Sequence, residues 1–288
     1  MTAPVALFVE LCAGTAAVSL RLHDAARRPP VSRMGGKQGY AEATLRVLGF
    51  APGQRALRYV WAEPDTGARL LLASYADPAM WGAAAAVLAG WQREQPRPLW
   101  QALRAEAEPV AATPHALARH VLLEGWTLWG TLYRGPGASQ IGSVAVTLAG
   151  LVKRLQVHHE ALPAEVYADA REVPVQAGAV VYLDPPYVGA EGYAHELPRA
   201  EVVELALRWA AAGCTVAIAE AVPLPELVAA GWHAQELTWA REGGRRGRAY
   251  SAQKREFITC NVQTYHPGRP TRQLLPMLAP NRGRSVLK

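Results

Sequence analysis

Apolar residues in this chain gather into short runs rich in β-branched side chains, separated by stretches with helical spacing. Val5 to Leu11 is one such run, and others fall near 57–62, 163–168, 179–184, 214–219, 233–239 and 256–262. Each reads as a strand, and Val5 to Leu11 and the run ending at Asp184 read as buried ones. Between them, Val18 to His23, Ala41 to Leu48 and Thr66 to Tyr75 read as helices. Pro198 and Glu201 open another, which runs through Ala212 and ends at Gly213. Ser139 to His158 is amphipathic, with Ile141, Val144, Leu148, Leu151 and Leu155 on one face. Strands alternating with helices predict an α/β, doubly wound, mostly parallel sheet of seven strands, the run at 256–262 returning antiparallel.

From Met80 to about Gly150 this rhythm fades. Trp81, Trp91, Trp100, Trp126 and Trp129 stand there at irregular spacing. They predict a small helical insertion with a core of its own. The main domain is then 1–79 with 151–265, the insertion is 80–150, and 266–288 is a basic tail without periodic pattern. A chain of 288 residues has room for one large α/β domain with an insertion, or for two small domains.

The net charge of +6 favours a polyanionic partner, and the basic residues are concentrated late in the chain. From Gln235 onward there are eleven Lys or Arg against three Glu, an excess larger than that of the whole chain. Cys12, Cys214 and Cys260 lie in apolar, strand-like surroundings without metal-ligand spacing, and the histidines form no HxxxH pair. The expectation is a cytoplasmic protein with reduced thiols and no metal. No signal peptide or membrane-spanning run is read in the sequence.

The candidate chemistry lies where the run Val180-Val181-Tyr182-Leu183 stops at Asp184-Pro185-Pro186-Tyr187. Two prolines cannot continue a sheet. They leave a carboxylate and an aromatic ring at the carboxyl end of a strand, where open α/β sheets bind ligands. Such a group suits an exocyclic amine. A carboxylate accepting one N–H and a backbone carbonyl accepting the other would localise the nitrogen lone pair, and the ring would hold a base by stacking. Upstream, Val5 to Leu11 leads into the small-residue loop Cys12-Ala13-Gly14-Thr15-Ala16-Ala17 and then a helix, a turn that brings backbone N–H groups close to a ligand. The strand at 57–62 ends in Ala62-Glu63-Pro64-Asp65. An acid there can accept ribose hydroxyls; Glu63 is nearest the strand, and Asp65 can instead cap the following helix. Gly35-Gly36-Lys37 suggests a loop wrapped on an anion.

Asp184-Pro185-Pro186-Tyr187 resembles the catalytic motif of S-adenosylmethionine-dependent DNA amino-methyltransferases, especially the adenine-N6 enzymes of the Dam-like group. The resemblance implies a seven-stranded methyltransferase sheet, with Asp184, Pro185, Pro186 and Tyr187 catalytic. It implies S-adenosylmethionine held by Glu10, Cys12, Ala13, Gly14, Thr15, Gly35, Gly36, Lys37, Glu63, Asp65, Asp169 and Asp184. The loop after Leu11 is similar to that family's first motif, with Ala16 where a second glycine is usual. Gly35-Gly36-Lys37 is similar to a segment that normally precedes that motif; here it follows. The insertion corresponds to a target-recognition region, in the α order of motifs. Double-stranded DNA is the implied partner, with Arg134 at a loop tip for a base edge and Arg245, Arg246, Arg248 and Lys254 for phosphates. The target base would be flipped out of the duplex. Cytosine-N4 transfer and a DNA-binding homologue without activity remain as alternatives. The recognition sequence, any companion restriction enzyme and the oligomeric state are open, a monomer being the default.

Overall fold

The computed structural model describes residues 5–31, 37–127, 147–187, 194–237 and 256–262. Seven strands form one sheet: β1 (Val5–Leu11), β2 (Ala56–Ala62), β3 (Ala164–Tyr167), β4 (Val180–Leu183), β5 (Thr215–Glu220), β6 (His233–Glu236) and β7 (Phe257–Cys260). Their order is β3-β2-β1-β4-β5-β7-β6. The pairs from β3 to β5 are parallel, and β7 runs antiparallel to both β5 and β6. This is the strand order of the methyltransferase sheet.

Alternation along the central strands sorts their side chains onto two faces, as the two-residue period of a strand requires. Phe8, Tyr59, Trp61, Tyr182, Ala217 and Ala219 enter one core. Leu7, Val9, Leu11, Val60, Val181, Leu183, Val216 and Ile218 enter the other. On the second face lies α8 (Arg199–Ala211), which buries Val202, Leu205, Ala206 and Trp209 at helical spacing. The first face carries α1 (Ala17–His23) and α2 (Ala41–Val47), whose Leu20 and Leu45 are fully buried.

The region 80–150 contributes helices to that same face. After α3 (Thr66–Ser74) come α4 (Pro78–Gly90), α5 (Pro96–Ala105), α6 (Pro114–Trp126) and α7 (Leu148–Gln156). Proline opens α4, α5 and α6, and side chains of Asp77 and Thr113 cap α4 and α6. Among the described residues, these helices share a core with the sheet. Trp81, Trp100, Trp126 and Leu151 belong to one buried cluster with Phe8, Trp61 and Tyr182 of the sheet. A ladder of rings makes the join: Trp61 lies 5.7 Å from Tyr75, Tyr75 4.9 Å from Trp81, and Trp81 stacks 4.5 Å from His158. The amphipathic pattern of 139–158 is met within α7, where Leu148, Leu151 and Leu155 are buried; Ile141 and Val144 lie outside the described residues.

Candidate functional site

In this strand order the chain reverses direction across the sheet between β1 and β4. A crevice at the carboxyl ends of the strands is expected at such a switch point. The two stretches singled out in the sequence, the loop after β1 and the Asp184-Pro185-Pro186-Tyr187 stretch after β4, flank it. Asp184 N–H bonds to Leu11 C=O at 3.1 Å, which carries the β1–β4 pairing one residue beyond β4. Pro185 and Pro186 then end the ladder, since neither has an N–H.

The loop after β1 folds back through three left-handed residues, Cys12 (φ 57°), Gly14 (φ 57°) and Ala16 (φ 53°). Only glycine takes this conformation freely, which accounts physically for a second glycine being usual where Ala16 stands. The loop is pinned to β2. Ala13 N–H donates to Ala62 C=O at 2.9 Å, and Gly14 N–H donates to Glu63 Oε2 at 2.7 Å. Glu63 Oε1 accepts from Asp65 N–H at 3.1 Å. Cys12, Ala13, Gly14, buried Thr15 and Glu63 are therefore brought together. Burial pushes the Cys12 thiol up, and the carboxylates of Glu63, Asp184 and Asp169 push the same way.

Three other acids have partners in the protein. Asp65 is the N-cap of α3, its Oδ1 accepting from Ala68 N–H at 2.7 Å, so of its two sequence readings the capping one describes it. Glu10 turns inward: its Oε2 accepts from Ser19 N–H at 2.9 Å and Ser19 Oγ–H at 2.5 Å, and Ser19 Oγ accepts from Trp61 Nε1 at 2.9 Å. Burial raises the Glu10 carboxyl to about 7 despite the Ser19 bonds. Asp169, in the loop after β3, takes the Arg171 Nε–H at 2.8 Å and the Arg171 N–H at 2.8 Å, and the Arg171 guanidinium holds it below the usual carboxylate range.

Around Asp184 stands a group that sequence reasoning saw only in part. Lys37 Nζ is 3.0 Å from Asp184 Oδ1 and 2.6 Å from Glu256 Oε1. The same ammonium lies 4.4 Å from the centroid of the Tyr187 ring. Lys37 also donates to the Tyr187 hydroxyl, which donates to Glu256 Oε1. Burial pulls the Lys37 ammonium down, but Asp184 and Glu256 together overcome that and hold it above its ordinary value. Burial, and then the negative charges of Asp184 and Glu256, push the Tyr187 hydroxyl far up. Glu220, the last residue of β5, is buried beside this group; burial raises its carboxyl to about 7, with Asp184 adding to the rise and Lys37 opposing it.

Glu220 and Glu256 were not singled out in the sequence. Glu220 had a readable signal, since an acid ends β5 as Asp184 follows β4. Glu256 had a fainter one. Because β7 is antiparallel, its start lies at the same edge as the ends of the parallel strands. Gly35, Gly36, Arg134, Arg245, Arg246, Arg248 and Lys254 lie outside the described residues.

No family model and no curated protein matches the chain. Among solved structures, the rRNA methyltransferase aviRa from Streptomyces viridochromogenes is similar at 14% identity, covering 90% of this chain and 77% of that chain, with a TM-score of 0.32. Together, the strand order and the paired loops at the switch point make this a methyltransferase-like α/β fold with a candidate site at its carboxyl edge.

Proposed function

We propose that this protein transfers a methyl group from S-adenosylmethionine to the exocyclic amine of a base in DNA, adenine N6 first. The observation that carries this reading is the position of Asp184-Pro185-Pro186-Tyr187: directly after β4, next to the loop after β1, at the reversal point of a methyltransferase-ordered sheet. Asp184 would accept one amine hydrogen and the Pro185 carbonyl the other. Both acceptors draw the nitrogen lone pair out of conjugation. A flat base would stack on the Tyr187 ring.

S-adenosylmethionine, when bound, supplies a methyl group on a positively charged sulfur. The donor set suits it. Glu63 holds the β1 loop through Gly14 N–H, and its carboxylate at the end of β2 would accept ribose hydroxyls. Asp169, which carries Arg171 as its own counter-ion, and the backbone from Cys12 to Thr15 would complete the cradle. Glu10 would act from behind, fixing the start of α1 through Ser19. The chemistry is in-line attack, so positioning does most of the work and no covalent intermediate is needed. In this reading Gly35, Gly36, Arg134, Arg245, Arg246, Arg248 and Lys254 belong to the cofactor and DNA contacts.

The test is to incubate the purified protein with methyl-labelled S-adenosylmethionine and unmethylated duplex DNA, then identify the labelled nucleoside by mass spectrometry. N6-methyladenine is the expected product. N4-methylcytosine would keep the mechanism and change the substrate. Asp184→Ala is expected to abolish transfer while calorimetry still detects cofactor binding. Full activity in that variant would sink the assignment. No cofactor binding by the wild type would leave a DNA-binding homologue without activity.

A further inference from the structure

The unexpected group at the site is a buried cation. Lys37 has three N–H donors and no acceptor. Asp184, Glu256 and the Tyr187 hydroxyl all lie within its reach, and the Tyr187 ring lies under it. Its side chain is 7% exposed, so water screens these contacts little. Charged and ionisable groups surround Asp184 from several elements: Glu10 from β1, Cys12 from the following loop, Tyr182 from β4, Tyr187, and Glu220 from β5. Burial keeps the Cys12 thiol and both tyrosine hydroxyls protonated, so the negative field at Asp184 comes from the neighbouring carboxyl groups. A carboxylate meant to receive an amine hydrogen has to stay ionised in that company.

We propose that Lys37 is a positioning residue for methyl transfer, the fixed counter-ion of Asp184, and that Glu256 is the anchor holding it there. This role rests on the reading of Asp184 as amine acceptor. A carboxylate has about four lone-pair sites, so Asp184 can keep Lys37 on Oδ1 and still take an N–H from a base. Its side chain is 16% exposed, which leaves it reachable. Glu256 acts twice, on the Lys37 ammonium and on the Tyr187 hydroxyl, so one residue before β7 sets both the charge and the ring. An ammonium shared by two carboxylates is itself no nucleophile. It supplies a field already in place when the reaction begins.

The same geometry would serve a plug, a lysine that blocks Asp184 until substrate displaces it, and the two roles predict opposite signs. For a counter-ion, Lys37→Met lowers kcat at least tenfold, leaves KM for S-adenosylmethionine near its wild-type value, and moves the acid limb of kcat/KM upward by about one pH unit or more. Lys37→Arg restores most of the rate and the original limb. Removing Lys37 alone leaves two carboxylates facing each other, which endangers folding. The double variant Lys37→Met/Glu256→Gln relieves that repulsion, and it is expected to regain stability without regaining the rate. Equal or faster turnover by Lys37→Met, with a lower KM for DNA, overturns the proposal in favour of a plug. A readout free of catalysis comes from lysine labelled at Cε: the Lys37 signal should titrate above ordinary lysines in the wild type and fall in Asp184→Asn. Ordinary titration in the wild type also overturns it. If the wild type methylates no base, the function itself fails and takes this role with it. That outcome is distinct from active wild type matched by Lys37→Met.

Discussion

Glu10 places a carboxyl group inside the core, 2% exposed, with Ser19 as its partner. Burial raises it from 4.5 to about 7. In the unfolded chain the group ionises at its ordinary value, so between these two pH values the folded state holds the extra proton. Stability therefore falls as pH rises from 4.5 toward 7 and levels above that, by roughly 3 kcal/mol in all. Glu220, also raised to about 7, adds a second slope of the same sign. Urea midpoints measured from pH 4.5 to 8 should show the decline, and Glu10→Gln should flatten it. An unchanged slope in the variant would mean that Glu10 is ionised in the folded state at low pH. At this scale the sequence was legible where covalent chemistry speaks, as in the two prolines that stop β4 and leave Asp184 and Tyr187 at its end. It was silent where a group is completed by distant partners. Lys37 meets Tyr187 across 150 residues and Glu256 across 219, and no local pattern encodes such a meeting.

Among elements, α3 and α6 approach so closely that glycine is required. A β-carbon on Gly67 would stand 2.3 Å from Nδ1 of buried His120. Alanine normally favours a helix by about 1 kcal/mol over glycine. Here the overlap outweighs that gain, because neither a buried imidazole nor the packed helix can give way cheaply. Gly67→Ala is expected to destabilise by about 1–3 kcal/mol in chemical denaturation; a stabilised variant would show that the two helices separate easily. Every expected strand is present, and the central ones were the plainest, because buried strands such as β4 and β5 write themselves as continuous apolar sequence. The region 80–150 was harder to read. Alanine-rich α4 has little amphipathic contrast, since its Trp81, Ala84, Ala85 and Leu88 are buried while other alanines of the same helix are exposed. Irregular tryptophans suggested a separate core, whereas Trp81, Trp100 and Trp126 share one buried cluster with Tyr75, Trp61 and the sheet.

For the molecule as a whole, that shared core means the helices from Pro78 to Gln156 are part of what covers one face of the sheet. Replacing 80–146 by a short Gly-Ser linker should abolish cooperative thermal unfolding followed by circular dichroism, since it would expose Trp61, Tyr75 and their neighbours. A sharp transition near the wild-type temperature would instead identify the region as a separable unit. The strand order has a further consequence for the order of events during synthesis. Among the described residues, β7 lies between β5 and β6, and β6 pairs with β7 alone. A ribosome that has released the chain only as far as β6 therefore presents β5 with an open edge and β6 with nothing to bind, a template for the wrong partner. The same late segment brings Glu256 to Lys37. Closing the sheet and assembling the charged group around Asp184 are thus one event, and the nascent chain gains its site only when it loses its sticky edge.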